Sequence, residues 1–294
     1  MTAPLDLPYH EVIEEGATRM SEPVICITGG ASGMGLATAR KFDAEGWRAI
    51  LIDLSEHQLE QAKQALSART VTIRADVTQE SDMQAAMETV RDATDGRLDI
   101  LFNNAGIAPG GMLESQDTAT IRAILDVNVL GVIFSIRAAL PMLKATPNAL
   151  CISTSSSVAT YGHATRSVYS ASKFAVKGLT EALSLELEGD DIRVADVLPG
   201  CIDTPLLREE LAKGSGQPFT ESMLERLPQS GAYRLLPDTA IADAVWSAYE
   251  NADQIHFYVP EEIGNTDKVK AHDIQAAKEE IREFLFRPRK QAAD

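Results

Sequence analysis

Ser156, Tyr169 and Lys173 are the residues whose types and spacing can do chemistry. They lie in Ser155-Ser156-Ser157-Val158-Ala159 and in Val168-Tyr169-Ser170-Ala171-Ser172-Lys173-Phe174. Tyr169 and Lys173 are four apart, and the segment that follows, Phe174 to Leu187, reads as a helix. On a helix, i and i+4 share a face, which would set the ammonium beneath the phenol. A free tyrosine has a pKa of about 10, so roughly one in a thousand is ionised at neutral pH. A neighbouring cation favours the phenolate, and a tyrosine tuned in this way trades a proton with an alcohol or carbonyl oxygen. Ser156, thirteen residues upstream at the end of an expected strand, would hold that same oxygen. Tyr-x-x-x-Lys also occurs by chance, as a half-buried tyrosine beside a solvated lysine, so the reading depends on its surroundings.

The elements that must position these residues are legible in chain order. Val24-Ile25-Cys26-Ile27 is an apolar run of the buried-strand type, and it leads into Thr28-Gly29-Gly30-Ala31-Ser32-Gly33-Met34-Gly35 and a helix, Leu36 to Glu45. Strand, glycine turn and helix together describe a dinucleotide site. Glycines let the backbone approach a pyrophosphate, and the helix N-terminus supplies donors and positive dipole. Gly29, Ser32, Gly33, Met34 and Gly35 are the candidates there. The second strand, Ala49 to Ile52, ends at Asp53. A carboxylate at that tip can accept both adenosine ribose hydroxyls and would repel a 2′-phosphate, and neither Ser32 nor Leu54 offers a compensating positive charge. The expected cofactor is therefore NAD. The competing role for Asp53, capping the next helix, is better suited to Ser55.

A helix over Gln58–Leu66, a strand over Val71–Ile73 and a helix over about Ser81–Thr94 follow. The fourth strand, Leu98 to Phe102, closes on Asn103-Asn104-Ala105-Gly106, small and amide residues suited to close cofactor packing or to a polar turn. A long helix, Thr118 to Lys144, carries Asn128 inside an apolar run, with Pro141 late in it as a bend or stop. A buried amide without partners costs about 1–3 kcal/mol, so Asn128 is either a fastener or the holder of a water beside Lys173. Leu150 to Thr154 is strand five and delivers Ser156; Arg193 to Leu198 is strand six, followed by Pro199-Gly200-Cys201-Ile202-Asp203-Thr204-Pro205. A helix at 238–251 and a strand at His256–Val259 finish the sheet. Strands alternating with helices predict an α/β, Rossmann-type doubly wound parallel sheet. It forms one domain over 23–262, with an N-terminal arm (1–22) and a C-terminal helical extension (263–294). In that extension Ile274, Ile281, Phe284 and Leu285 suggest one docked face.

Composition narrows the partners. Lys and Arg number 27 against 43 Asp and Glu, a net charge of −16, which argues against nucleic acid or an anionic membrane. The three cysteines, Cys26, Cys151 and Cys201, show no paired spacing and suggest reduced core thiols in a cytoplasmic protein. Nothing resembles a signal peptide, no apolar run is expected to span a bilayer, and no metal-ligand cluster is indicated.

With these residues in view, the chain resembles the short-chain dehydrogenase/reductase family over roughly residues 22–262. The resemblance rests on five stations in order: Thr28-Gly29-x-x-x-Gly33-x-Gly35, Asn103-Asn104-Ala105-Gly106, Asn128, Ser156 with Tyr169-x-x-x-Lys173, and Pro199-Gly200. It implies a catalytic tetrad of Asn128, Ser156, Tyr169 and Lys173. Tyr169 would be the acid/base and Ser156 would orient the substrate oxygen. Lys173 would lower the Tyr169 pKa and bind the nicotinamide ribose, and Asn128 would hold a relay water. It also implies that Asp76 and Val77 flank the adenine, that Asn104 lies near the adenosine side, with Ala105, Gly106, Pro199 and Gly200 lining the cofactor, and that Ile202 and Thr204 contact the carboxamide. Counting back from Tyr169 selects Ser156, while Ser155 or Ser157 would need a shifted loop. The ending Phe257-Tyr258-Val259-Pro260 departs from the usual glycine-rich one, which weakens any assumed assembly through the C-terminus.

Residues 205–236 fall where family members place a mobile lid. The apolar members Leu206, Leu207, Leu211, Phe219, Met223, Leu224 and Leu227, and charges of mixed sign, imply a medium-sized, mostly apolar secondary alcohol or ketone. Ile107, Val158 and His163 would complete that pocket. Ile121, Ile124, Leu125, Ile133 and Ile136 on the long helix imply a homodimer or homotetramer. Other readings remain: an NADPH-dependent carbonyl reductase of the same family, a dinucleotide-sensing binding protein without catalysis, or an epimerase or dehydratase of longer related families.

Overall fold

A computed structural model describes residues 22–286. The N-terminal arm expected over 1–22 lies almost wholly outside the described residues. The chain runs β1 (Val24–Thr28), α1 (Gly33–Ala44), β2 (Arg48–Asp53), α2 (Glu56–Gln64), β3 (Val71–Arg74), α3 (Glu80–Ala93) and β4 (Ile100–Asn103). It continues with α4 (Thr118–Leu125), a π-helical turn (Asp126–Leu130), α5 (Gly131–Ala145), β5 (Ala149–Thr154), α6 (Ser167–Glu186) and β6 (Ile192–Pro199). Then come β7 (Cys201–Asp203), α7 (Pro205–Ser215), α8 (Glu221–Glu225), β8 (Leu235–Pro237), α9 (Thr239–Glu250), β9 (His256–Val259), α10 (Gly264–His272) and α11 (Ile274–Phe286).

The strands β1, β4 and β5 are buried along their whole length, as near-continuous apolar runs must be in a sheet covered on both faces. They form a seven-stranded sheet in the order β3-β2-β1-β4-β5-β6-β9, every pair parallel. Met83, Val90, Val132, Ile136 and Val176 pack one face; Phe42, Trp47, Leu59, Ile241 and Val245 pack the other. Chain order reverses between β1 and β4, so the connections leaving their C-terminal ends diverge and open a crevice there.

Four features depart from the sequence reading. The catalytic-candidate helix begins at Ser167, so Tyr169 and Lys173 share it from its first turn. The long helix is interrupted by a π-helical turn holding Asn128, and Pro141, read as a bend or stop, lies inside α5. Counted through that turn, the 28 residues Thr118–Ala145 are long and apolar enough to cross a bilayer, contrary to expectation. They lie instead along the sheet, with Val132, Ile136, Ala139 and Leu143 in its core. The extension divides at Asp273 into α10 and α11, and α11 docks through Ala277 and Ile281. A two-stranded parallel pair, β7 with β8, holds together the two ends of the 205–236 segment.

Candidate active site

The turn after β1 is shaped by its glycines. Gly29 and Gly33 have φ of +62° and +47°, a region open to glycine at little cost. A Cβ on Gly35 would stand 2.2 Å from the Gly29 carbonyl oxygen, so α1 can lie against the turn only without one. Ser32 does not cap α1 with its side chain and no acidic residue occupies the first turn, which leaves backbone N–H groups facing the crevice. Asn104 clasps the ends of β1 and β4: its Nδ2 donates to the carbonyls of Thr28 and Gly29 at 3.3 and 3.1 Å. The Thr28 hydroxyl accepts from the N–H groups of Asn104 and Ala105.

Around this clasp lies a cleft of about 300 Å³. Gly29, Ser32, Gly33, Met34, Asp53, Asp76, Val77, Asn104, Ala105, Gly106 and Thr204 line it, as the sequence suggested. Gly35 lies under the turn, Ile202 is buried in the core, and Pro199, Gly200, Tyr169 and Lys173 stand outside this lining. Gly200 serves close packing, since a Cβ there would fall 2.7 Å from the Ile263 side chain. Gln58, Ala75, Val127 and Pro205 line the cleft without having been anticipated, and they are joined by Leu54 beside Asp53, by Leu206 of the expected lid and by Ile107, expected in the substrate pocket. The Asp53 carboxylate accepts from the N–H groups of Ala31 and Ser55, each at 3.1 Å, and Ser55 caps α2 as expected. A dinucleotide fits this donor set: exposed helix N–H groups for a pyrophosphate, and a carboxylate at the tip of β2 for hydroxyls.

The three serines after β5 separate cleanly. Ser155 donates to the Lys173 carbonyl at 2.9 Å, fastening α6 to the sheet, and Ser157 is buried at the start of one 3-10 turn. The Ser156 hydroxyl accepts from the Val158 N–H at 3.3 Å and interacts with the Tyr169 hydroxyl. Lys173 is buried, its ammonium 5.7 Å from the centre of the Tyr169 ring and donating to the Thr154 carbonyl at 2.8 Å. Burial lowers its pKa to about 8, against the opposing pull of the Asp196 carboxylate.

Tyr169 corrects one expectation. Its pKa is raised, because burial penalises the phenolate more than the Ser156 hydroxyl and the Arg166 charge favour it, and Glu210 pushes the same way as burial. The lysine beneath the ring does not by itself hold the phenol down. Asn128 takes the fastener role, one of the two that the sequence left open. Its Oδ1 accepts from the Ile107 N–H and its Nδ2 donates to the Ile107 carbonyl, both at 2.9 Å, and to Ser172 at 3.1 Å. The amide is thus a fastener between the loop after β4 and α6: both of its N–H bonds are used, and Oδ1 keeps one lone pair. His163 lies beside Tyr233 and Phe284, at 6.1 and 5.9 Å between ring centres, and its Nε2 is buried without a partner. Burial lowers its pKa to about 4, with Arg166 adding to the effect. Val158 is buried. Sequence reasoning missed Arg166 and Tyr233 and placed Glu210 only among the lid charges and Phe284 only on the docked face of the tail; pairings across 44 or more residues bring all four to the site.

Residues 23–214 match the short chain dehydrogenase family. The chain is 33% identical over 229 residues to 2-(R)-hydroxypropyl-CoM dehydrogenase of Xanthobacter autotrophicus, covering 76% of this chain and 89% of that one. It is 37% identical over 234 residues to L-fucose dehydrogenase of Mus musculus, covering 79% and 84%. Among solved structures, a short chain dehydrogenase/reductase from Burkholderia phymatum in complex with NAD superposes with a TM-score of 0.75 at 26% identity, over 87% of this chain and 95% of that one. This chain belongs to the short-chain dehydrogenase/reductase family, and its relatives are oxidoreductases.

Proposed function

We propose that the protein transfers a hydride between NAD and a medium-sized, mostly apolar secondary alcohol or its ketone. The observation that carries the reading is the convergence of Ser156, Tyr169 and Lys173 beside a cleft with Asp53 at its far end. A bound nicotinamide accepts or supplies the hydride. In oxidation, Ser156 orients the alcohol oxygen and the Tyr169 phenolate takes its proton as the carbonyl forms. In reduction the neutral phenol returns that proton to the carbonyl oxygen. Lys173 carries a positive charge toward the nicotinamide ribose. A relay water at Asn128 would be held by a backbone carbonyl, because a π-turn breaks the regular ladder of the helix. Asp53 sets the preference for NAD over NADP through its charge.

The substrate class rests on the 205–236 segment as a lid. Leu206 reaches the cleft, Leu224 is buried, and Leu207, Leu211, Phe219, Met223 and Leu227 are half-buried. Its glycine joints, Gly216 and Gly231, have φ of +67° and +81°. Closure of such an apolar cover excludes water from the reacting atoms. Screening purified protein with NAD against secondary alcohols of graded size, read by absorbance of the reduced cofactor, tests this. Phe219→Ala or Met223→Ala should raise KM for bulky apolar alcohols more than for small ones. A free sugar or a phosphorylated compound as best substrate would overturn the assignment.

A further inference from the structure

We propose that Arg166 and Glu210 are positioning residues whose ion pair latches α7 down over the Tyr169 hydroxyl and fixes the charge environment in which that hydroxyl trades its proton. The inference rests on the reading of Tyr169 as acid/base and deepens it.

Arg166 stands three residues before Tyr169, immediately before the first turn of α6. Its guanidinium divides between two other segments. Nη1 donates to the Ala108 carbonyl in the loop after β4 at 2.8 Å, and Nη2 meets Glu210 of α7 at 3.3 Å. One side chain therefore ties together the three segments that surround the tyrosine. The loop after β4 is brought in further by the Gly111 N–H, which donates to the Thr165 carbonyl at 2.8 Å. A Cβ on Gly110 would stand 3.7 Å from Glu210 Oε2 and 3.9 Å from Arg166 Cζ, so the junction is closely packed. On α7, Leu206 and Glu210 are one turn apart and share a face, and Leu206 lines the nucleotide cleft. Glu210 is thus on the inner face of the helix.

Burial separates this pair from its neighbours. The Arg166 and Glu210 side chains are 31% and 13% exposed, whereas Lys213 and Glu209, on the outer face of α7, are 66% and 61% exposed. Solvent screens the outer pair to near neutrality, while the inner one acts through protein and reaches the phenol: Arg166 favours the phenolate and Glu210 opposes it. The other groups facing Tyr169 are Ser156 and Lys173. His163 and the Cys201 thiol also lie within reach of the Arg166 charge, but with pKa values of about 4 and about 11 both stay neutral across the working range. Arg208, clamped on Asp203 of β7 at 2.7 and 2.9 Å and on Glu221 of α8 at 2.8 Å, braces α7 from its other side and ties it to both elements.

The experiment compares full-length wild type with Glu210→Gln, Arg166→Gln and the double variant, each saturated with NAD. Hydrogen exchange of the 205–215 amides reads closure, tyrosinate absorbance reads the Tyr169 ionisation by difference from Tyr169→Phe, and the pH profile of kcat/KM reads catalysis. Exchange should rise roughly fivefold in each single variant, the factor that corresponds to about 1 kcal/mol of lost closure, and no further in the double. The ionisation midpoint should move to lower pH in Glu210→Gln and to higher pH in Arg166→Gln. A purely structural contact would move both midpoints the same way or neither, and that result, or unchanged exchange in Glu210→Gln, overturns the proposal. Glu210→Gln keeps shape and volume, so it remains informative if Arg166→Gln folds poorly. Exchange and absorbance need no substrate; a wild type without turnover on any alcohol or ketone would refute the proposed activity while the latch is still read.

Discussion

Replacing Asp53 gives the sharpest test of cofactor choice, because the structure lets its two jobs be separated. The carboxylate at the tip of β2 faces the cleft and also accepts from the N–H groups of Ala31 and Ser55. A phosphate dianion about 5 Å from that charge, at an effective dielectric of about 40, would be repelled by about 3 kcal/mol. That corresponds to a preference for NAD over NADP of roughly a hundredfold in kcat/KM. Asp53→Asn removes the charge and keeps an acceptor for one backbone N–H, so the ratio should collapse toward parity with little loss of stability. Asp53→Ala also strands two N–H groups, at about 1–3 kcal/mol each if they find no water, and its melting temperature should fall. The ratio of the two kcat/KM values, measured on one preparation, cancels any loss of folded protein. Leu54 is 57% exposed, so Leu54→Arg adds a cation beside the site at little cost to packing, and Asp53→Ala with Leu54→Arg should favour NADP. A wild type that prefers NADP, or an Asp53→Asn variant with an unchanged ratio, would refute the reasoning.

Tyr169→Phe should lower kcat/KM by roughly a thousandfold while the NAD dissociation constant, read by fluorescence titration, stays nearly constant; retained activity above a few per cent sinks the acid/base assignment. Lys173→Met should weaken both turnover and NAD binding. Because the Tyr169 phenol is raised and is required as phenolate for oxidation, kcat/KM for oxidation should climb with pH above neutrality while that for reduction falls; parallel profiles in the two directions would contradict this. His163 binds a proton less readily folded than unfolded, so stability is full above about pH 6.5 and declines toward pH 4. Urea unfolding at pH 7 and pH 5 should show a decline that His163→Gln reduces by up to about 2 kcal/mol, and an equal decline in both proteins would exclude the effect. Light scattering at micromolar concentration should give a dimeric or tetrameric mass. Of the five residues first assigned to that interface, Ile124 and Ile136 are core, Ile121 and Ile133 are half-buried and only Leu125 is exposed; Leu130 and Phe174, not among the five, are further exposed apolar groups that a partner would cover, and a monomer refutes it.

The sheet, the glycine turn and the Ser156–Tyr169–Lys173 set were legible because each is a local pattern: a short apolar run, a glycine spacing, an i to i+4 pair. The features that were not legible are those decided by distance or by solvent. Cys201–Asp203 and Leu235–Pro237 are each three residues long, too short for a strand pattern, and pair only because the chain returns. Nothing in the run around Asn128 marks a π-turn, since Val127-Asn128-Val129-Leu130-Gly131-Val132 is apolar at nearly every position and leaves no phase shift to read. The sequence supplied the lysine beside Tyr169 but not the desolvation, which outweighs the Ser156 hydroxyl and the Arg166 charge that favour the phenolate. Arg166 and Glu210 read as two surface charges until the fold sets them 3.3 Å apart.

The polar groups around the site divide into those that hold backbone and those left to act. Thr28 and Asn104 join the ends of β1 and β4. Asn128 and Ser172 join the loop after β4 to α6, the Ser172 hydroxyl in turn donating to the Tyr169 carbonyl at 2.7 Å. Ser155 joins the end of β5 to the same helix through the Lys173 carbonyl. A Cβ on Gly106 would come within 3.3 Å of Asn128 Oδ1 and 3.5 Å of Lys173 Nζ, so this scaffold closes directly onto the lysine. Every one of these fasteners has its partner inside the protein, and Ser155 and Ser172 stand directly beside Ser156 and Lys173 in the chain. Such satisfied, buried contacts rigidify what they join, and they leave the Ser156 and Tyr169 hydroxyls, which interact with each other, as the pair that the proposed mechanism would present to a substrate oxygen. A site held this way owes its geometry to groups that never touch the substrate, which is why Asn128→Ala should damage orientation through Ile107 and Ser172 rather than remove a reacting group.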